Sequence, residues 1–154
     1  MLQKLLTNQH KYNHKLSCWN FIKTGLVIFA LALCFICNRT YFWYPPSLAP
    51  AWNNIWVDIV GLCAGIILIV CGAFDLNVDI LVKTGLGVSV AYLTVLIIAE
   101  SFHIVGANYM VLVPLMVLEA YTITNIMQIA YEYDPRQWER SWYTWMVSKT
   151  YLAY

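Results

Sequence analysis

Glu100, His103 and Glu119 are polar residues set inside long apolar runs. Glu100 and His103 are three residues apart, so on a helix they share one face. Glu119 lies about ten residues into the next run, roughly 15 Å along a helix. Glu100 lies about six residues, roughly 9 Å, from the corresponding end of its own run. If these runs cross a bilayer, an ionised acid at the centre costs at least ~3 kcal/mol on insertion scales. Glu119 is then expected to be protonated, paired or hydrated. Two readings stand. In one, Glu119, Glu100 and His103 are steps of a proton or cation path from the outer face to mid-membrane, with desolvation tuning the acids for relay. In the other, Glu119 is a neutral acid hydrogen-bonded to a neighbouring helix and Glu100 pairs with His103 near the surface. Thr122, Asn125 and Gln128 drift around their helix, so no polar stripe continues to the far side.

Other chemistry is sparse. Cys34 and Cys37 form a C-x-x-C, similar to the membrane-surface pair of four-span, quinone-linked thiol oxidases. Such enzymes pass electrons through a second pair on a loop, and neither outer loop here contains a cysteine. Cys18, Cys63 and Cys71 complete an odd set that reads as small apolar residues rather than a disulfide framework. Asp75, Asn77 and Asp79 either hold a cation between two helices or form a helix stop and a capped start. Metal-ligand spacings, a phosphate loop and a nucleophile elbow are absent from the sequence, so no cofactor and no catalytic residue is expected.

The elements that must position these residues follow from composition. Of the chain's 154 residues, 61% are hydrophobic and 11% charged, and mean hydropathy is +0.63. A soluble domain carries roughly 25% charged residues. The expected fold is an all-α membrane protein of four transmembrane helices with a C-terminal amphipathic interfacial helix. Its partner is the lipid bilayer. A net charge of +1 gives no field that would draw nucleic acid.

Residues 1–130 read as the transmembrane domain with a polar N-terminal tail, which either lies on the surface as a short helix or frays. The spans run about Leu16–Cys37, Ile55–Phe74, Ile80–Val105 and Tyr109–Ala130. Lys23 snorkels from the first span. Between the first two, Tyr41, Phe42, Trp43, Tyr44 and Trp52, broken by Pro45, Pro46 and Pro50, suggest a partly extended segment in the interface. Asp58 suits the positive end of the second span. Asp75–Asp79 and Gly106–Asn108 read as tight turns.

Gly61 and Gly65 form a G-x-x-x-G, with Gly72 two turns on. Gly85 and Ser89, and Gly87 and Ala91, repeat small-x-x-x-small. Small residues let backbones approach in lipid. They pack spans two and three of one chain or join copies into a homo-oligomer. Ser89 lies three turns before Glu100, so Glu100 shares the small-residue face and is expected to look into the bundle.

Residues 131–154 differ in kind. Asp134, Pro135 and Gln137 make a capped helix start. Trp138, Trp142 and Trp145 recur at i, i+4 and i+7, with Arg136 and Arg140 opposite, as in a helix lying in the membrane plane. The alternative is packing against the protein's own spans. Lys4, Lys11, Lys15, Lys23, Lys83, Arg136, Arg140 and Lys149 fall on one side of the membrane and Arg39 alone on the other. The positive-inside rule then puts both termini in the cytoplasm.

The stretch from Asn38-Arg39-Thr40-Tyr41-Phe42-Trp43-Tyr44-Pro45-Pro46 to Pro50, with Asn53-Asn54 and Trp56-Val57-Asp58, resembles small membrane proteins of lactobacillus-type bacteria and their prophages. The resemblance implies a bacterial plasma membrane and phage association, and no activity. Small size, low charge and several spans are also similar to holins, although many holins end in a highly charged tail and this chain ends in Trp and Tyr. The expected function is a non-catalytic membrane scaffold or interaction protein. The alternative is a permeability protein, holin-like or conducting protons or cations, and the remote one a thiol oxidoreductase using Cys34 and Cys37.

Overall fold

The computed structural model describes residues 2–74, 76 and 78–133, with side chains from residue 18 onward. Trp138, Trp142, Trp145, Arg136 and Arg140 lie outside the described residues, as do Asp75 and Asn77.

The protein is all-α, with four helices long and apolar enough to span a membrane. Helix α1 is Leu2–Cys37, α2 Ala49–Trp52, α3 Ile55–Ala73, α4 Asp79–Ala107 and α5 Val113–Glu132. The apolar spans are Cys18–Cys37, Ala49–Ala73, Asp79–Ala107 and Met110–Glu132. The N-terminal residues, expected as a separate surface helix or a tail, continue α1 without a break. Lys23 places its Nζ 5.4 Å from the centre of the Trp19 ring. That is one turn toward the N-terminus, the direction a snorkelling lysine takes.

Local signals set the helix ends. Asn54 caps α3 through its side chain, which accepts from the Trp56 amide at 3.1 Å. Pro114 sits in the first turn of α5, where its missing N–H leaves no bond unmade. A 3-10 turn, Met110–Leu112, precedes that helix. At the end of α4 the left-handed residue is Asn108, φ 53°. Gly106 instead admits a ring, because Tyr44 occupies the space where a Cβ would stand.

The spanning helices close a ring: α1 packs on α3, α3 on α4, α4 on α5, and α5 back on α1. The small residues divide between two of these contacts. Gly85 meets Ile67 and Leu68 of α3, and Gly61 meets the Tyr92 ring of α4. These place spans two and three together. Gly65 and Gly72 turn instead to α1. A Cβ on Gly65 would lie 2.8 Å from the Phe29 amide nitrogen and 2.9 Å from the Gly25 carbonyl oxygen, and one on Gly72 2.7 Å from the Cys18 carbonyl oxygen. The sequence offered α4 or a second copy as the partner of the α3 glycines; for Gly65 and Gly72 the partner is α1, which α3 approaches backbone to backbone. A Cβ on Gly87 would meet no other element within 4 Å among the described residues.

Gly65→Ala must therefore force two backbones apart, whereas Gly87→Ala meets open space. Overpacking of this kind costs about 1–3 kcal/mol. Thermal unfolding in detergent should show Gly65→Ala clearly destabilised and Gly87→Ala unchanged or slightly stabilised. Equal melting temperatures would contradict the α1–α3 contact.

Candidate functional site

The end of the bundle that carries the 38–54 loop is organised around His103. Its Nε2 accepts the backbone N–H groups of Trp43 and Tyr44, each at 2.9 Å. Its Nδ1 lies 3.0 Å from the carbonyl oxygen of Ala99. A carbonyl has no proton to give, so Nδ1 carries the hydrogen and Nε2 offers its lone pair. This is the neutral imidazole with both nitrogens engaged. Phe42, Trp43, Tyr44 and Trp52 ring it, with centroids 5.5, 5.7, 6.4 and 6.1 Å away.

A second clamp holds the loop. Asn53 donates to the Phe42 carbonyl at 2.6 Å and to the Ala49 carbonyl at 3.0 Å, and its Oδ1 accepts the Phe42 amide at 3.2 Å. The loop therefore covers the bundle end instead of lying wholly among headgroups. Phe42 points inward and is 2% exposed, while Trp43 points out at 54%.

Beneath this cover lie Glu100 and Glu119. Both are 0% exposed, and none of their four carboxylate oxygens has a hydrogen-bond partner among the described residues. Helix periodicity explains the burial of Glu100. Val82, Gly85, Leu86, Ser89, Tyr92, Leu93, Leu96, Ala99, Glu100 and His103 form one continuous buried face of α4.

The two acids are close to level. Ser101 Oγ donates to Met116 Sδ at 3.6 Å, which sets those residues side by side on antiparallel helices. Glu119 is one turn below Met116 and Glu100 one residue below Ser101, so their axial offset is ~3 Å. Sequence spacing implied roughly twice that. Glu100 and Glu119 are thus within electrostatic reach of each other. They form a pair rather than two separated steps. The expected Glu100–His103 hydrogen bond is not formed, because loop amides and Ala99 occupy the ring nitrogens.

Three residues that the sequence did not connect with the two acids join the site. Tyr41 sits in the loop within electrostatic reach of both carboxylates. Burial, then the proximity of Glu100 and of Glu119, pushes its phenol up to about 12. Tyr92 Oη reaches Asp58 Oδ1 at 3.5 Å and also lies within reach of Glu119. Asp58 is 4% exposed and has Arg39 in electrostatic range. It is thus an inward polar group as well as a helix-end acid. Gly61, three residues after Asp58, makes room for the Tyr92 ring, so the spacing of Asp58 and Gly61 was the available signal.

Elsewhere the polar chemistry is local. Lys83 pairs with Asp79 at 2.8 Å on an exposed helix face, an i,i+4 pair worth at most ~1 kcal/mol. No group of three or more metal-ligating side chains occurs among the described residues. Cys34 and Cys37 are free and exposed. Below the acid pair, toward the other end of the bundle, Leu68, Val82, Leu93, Leu96 and Ile126 fill the interior. Ser89 and Thr122 spend their hydroxyls on the carbonyls of Gly85 and Leu118.

The sequence matches no protein-family model, no curated protein and no solved structure. The class is therefore defined by the structure alone. This is a small multi-pass integral membrane protein with a buried carboxylate pair under an aromatic loop.

The position of Tyr41 is testable by ultraviolet absorbance titration. Because its phenol is raised above the ordinary value of about 10, the stabilisation it provides is complete below pH ~10 and is lost as pH rises through about 12. Tyr41→Phe should remove one late-titrating phenol and leave the earlier ones in place. A titration curve that loses an ordinary phenol instead would place Tyr41 away from the carboxylates.

Proposed function

We propose that the protein is a plasma-membrane protein with both termini in the cytoplasm, and that Glu100 and Glu119 together bind and pass protons. The observation that supports this is the pair of fully buried carboxylates with no hydrogen-bond partner among the described residues. A purely structural acid in a membrane is kept by a hydrogen bond or an ion pair. These have neither, and two neighbouring ionised acids repel in a medium of low dielectric constant. The inexpensive state holds protons on the pair. A proton suits the site better than a metal ion, because the surrounding helical carbonyls already accept intrahelical bonds. Two carboxylates alone leave a hard cation short of oxygen ligands.

On the positive-inside orientation, the pair lies near the outer face, one turn beneath His103 and the loop. Protons would enter there. The apolar filling toward the cytoplasmic side favours a second reading, a non-catalytic scaffold or interaction protein in which the pair stays neutral. Homo-oligomerisation would add helix faces to either reading, and a holin-like lesion would not depend on the acids.

The deciding experiment is proton flux into liposomes bearing the full chain, under a pH gradient. Passage through the pair predicts that Glu119→Gln lowers the flux about 10-fold or more, the scale on which removing a single proton-transfer group acts. Flux that persists in the variant would indicate a lesion of another origin. No flux from folded, inserted wild type would leave the scaffold.

A further inference from the structure

Within the loop that closes over Glu100 and Glu119, the backbone at Trp43 and Tyr44 is held by one side-chain acceptor atom. Nε2 of His103 takes both the Trp43 and the Tyr44 amide protons at 2.9 Å, across a separation of about sixty residues in sequence. Nδ1 is already a donor to Ala99. A second proton on this ring can go only to Nε2, and an imidazolium has two donors and no acceptor. The protonated ring would present an N–H to two other N–H groups. The latch cannot survive that change.

We propose that His103 is a proton-operated latch: a positioning residue that holds the aromatic loop over the carboxylate pair when neutral and releases it when protonated. This rests on the proton-handling reading of Glu100 and Glu119, whose access it would regulate. The asymmetry of the two clamps supports it. Asn53 holds Phe42 through an amide that does not titrate, so the loop keeps one fixed anchor while Trp43 and Tyr44 come free. Trp43 is already 54% exposed and has little packing to lose. Tyr44 covers Gly106 through its ring. Glu100 lies one turn below the ring on the same helix face, and its carboxyl group keeps an acceptor oxygen even when protonated.

Titratable and charged groups on the surrounding elements are few. The loop carries Arg39, Tyr41 and Tyr44, and α3 carries Asp58. Glu100 is on the same helix as His103, Tyr109 is in the following turn and Glu119 is on α5. The short α2 brings Trp52 and no charge.

The test is hydrogen–deuterium exchange of the full chain in lipid nanodiscs, read at the amides of Trp43 and Tyr44. Rates are measured from neutral to acidic pH and corrected for intrinsic pH dependence. The latch predicts that wild-type protection falls about tenfold per pH unit once the ring titrates, as for a single-proton equilibrium. His103→Gln keeps a side-chain acceptor that cannot titrate, so its protection should be independent of pH. Constant wild-type protection, or an equal fall in the Gln variant, overturns the proposal. If that variant does not fold, nitrogen-15 spectra of wild-type His103 decide. Loss of the Nδ1–H neutral form must coincide with loss of protection, and protonation with protection intact overturns the latch. Glu119→Gln should leave the exchange curve in place. A working latch without proton flux in the liposome assay would therefore overturn the reading of the carboxylates, and flux without a latch would overturn the latch alone.

Discussion

Between lipid-exposed helices, apolar side chains gain nothing by leaving one hydrocarbon for another, so association depends on close contact between backbones and on polar groups. In this protein that constraint falls first on the contact of α1 with α3. Gly25 and Gly65 face each other with no side chain between them, and a Cβ on either would press into the other helix's backbone. The approach places α3 at a fixed distance from α1. It lets Gly61 receive the Tyr92 ring of α4, and the remaining helix closes the ring. Every later feature, including the level at which the acids meet, inherits this spacing.

Polar groups at the loop end follow two opposite rules. His103 and Asn53 have well-formed hydrogen bonds and serve the fold: they bind a proline-interrupted segment that could not satisfy its own backbone in a regular helix. Glu100 and Glu119, a turn away, are left without hydrogen-bond partners among the described residues. Local order and local frustration are therefore adjacent, and the satisfied groups keep water from the unsatisfied ones. Tyr41 and Tyr92 with Asp58 extend the polar region toward α3, making it broader than two acids.

The four spans were legible because charge is so scarce within them, and the buried face of α4 because its small and polar residues keep helical spacing from Val82 to His103. Periodicity names a face but not the neighbour that meets it. For that reason Gly65 and Gly72 could be read as packing residues, while their partner α1 could not. Gly25 has no companion at four-residue spacing and gave no signal. The level of Glu119 depended on where regular helix begins, and the 3-10 turn before Val113 is invisible in composition. The partners of His103 are about sixty residues distant, beyond any local pattern. Asp58 read correctly as a helix-end acid, but which side of the helix met a tyrosine required the fold.

The way α1 is held has a geometric consequence. The helix runs unbroken to Cys37, and its backbone comes against α3 at Cys18, at Gly25 and again at Phe29. These points span ~16 Å along the axis. A rod held at both ends of such a length resists tilting against its neighbour, so the end that leads into the aromatic loop keeps a constant height over the bundle.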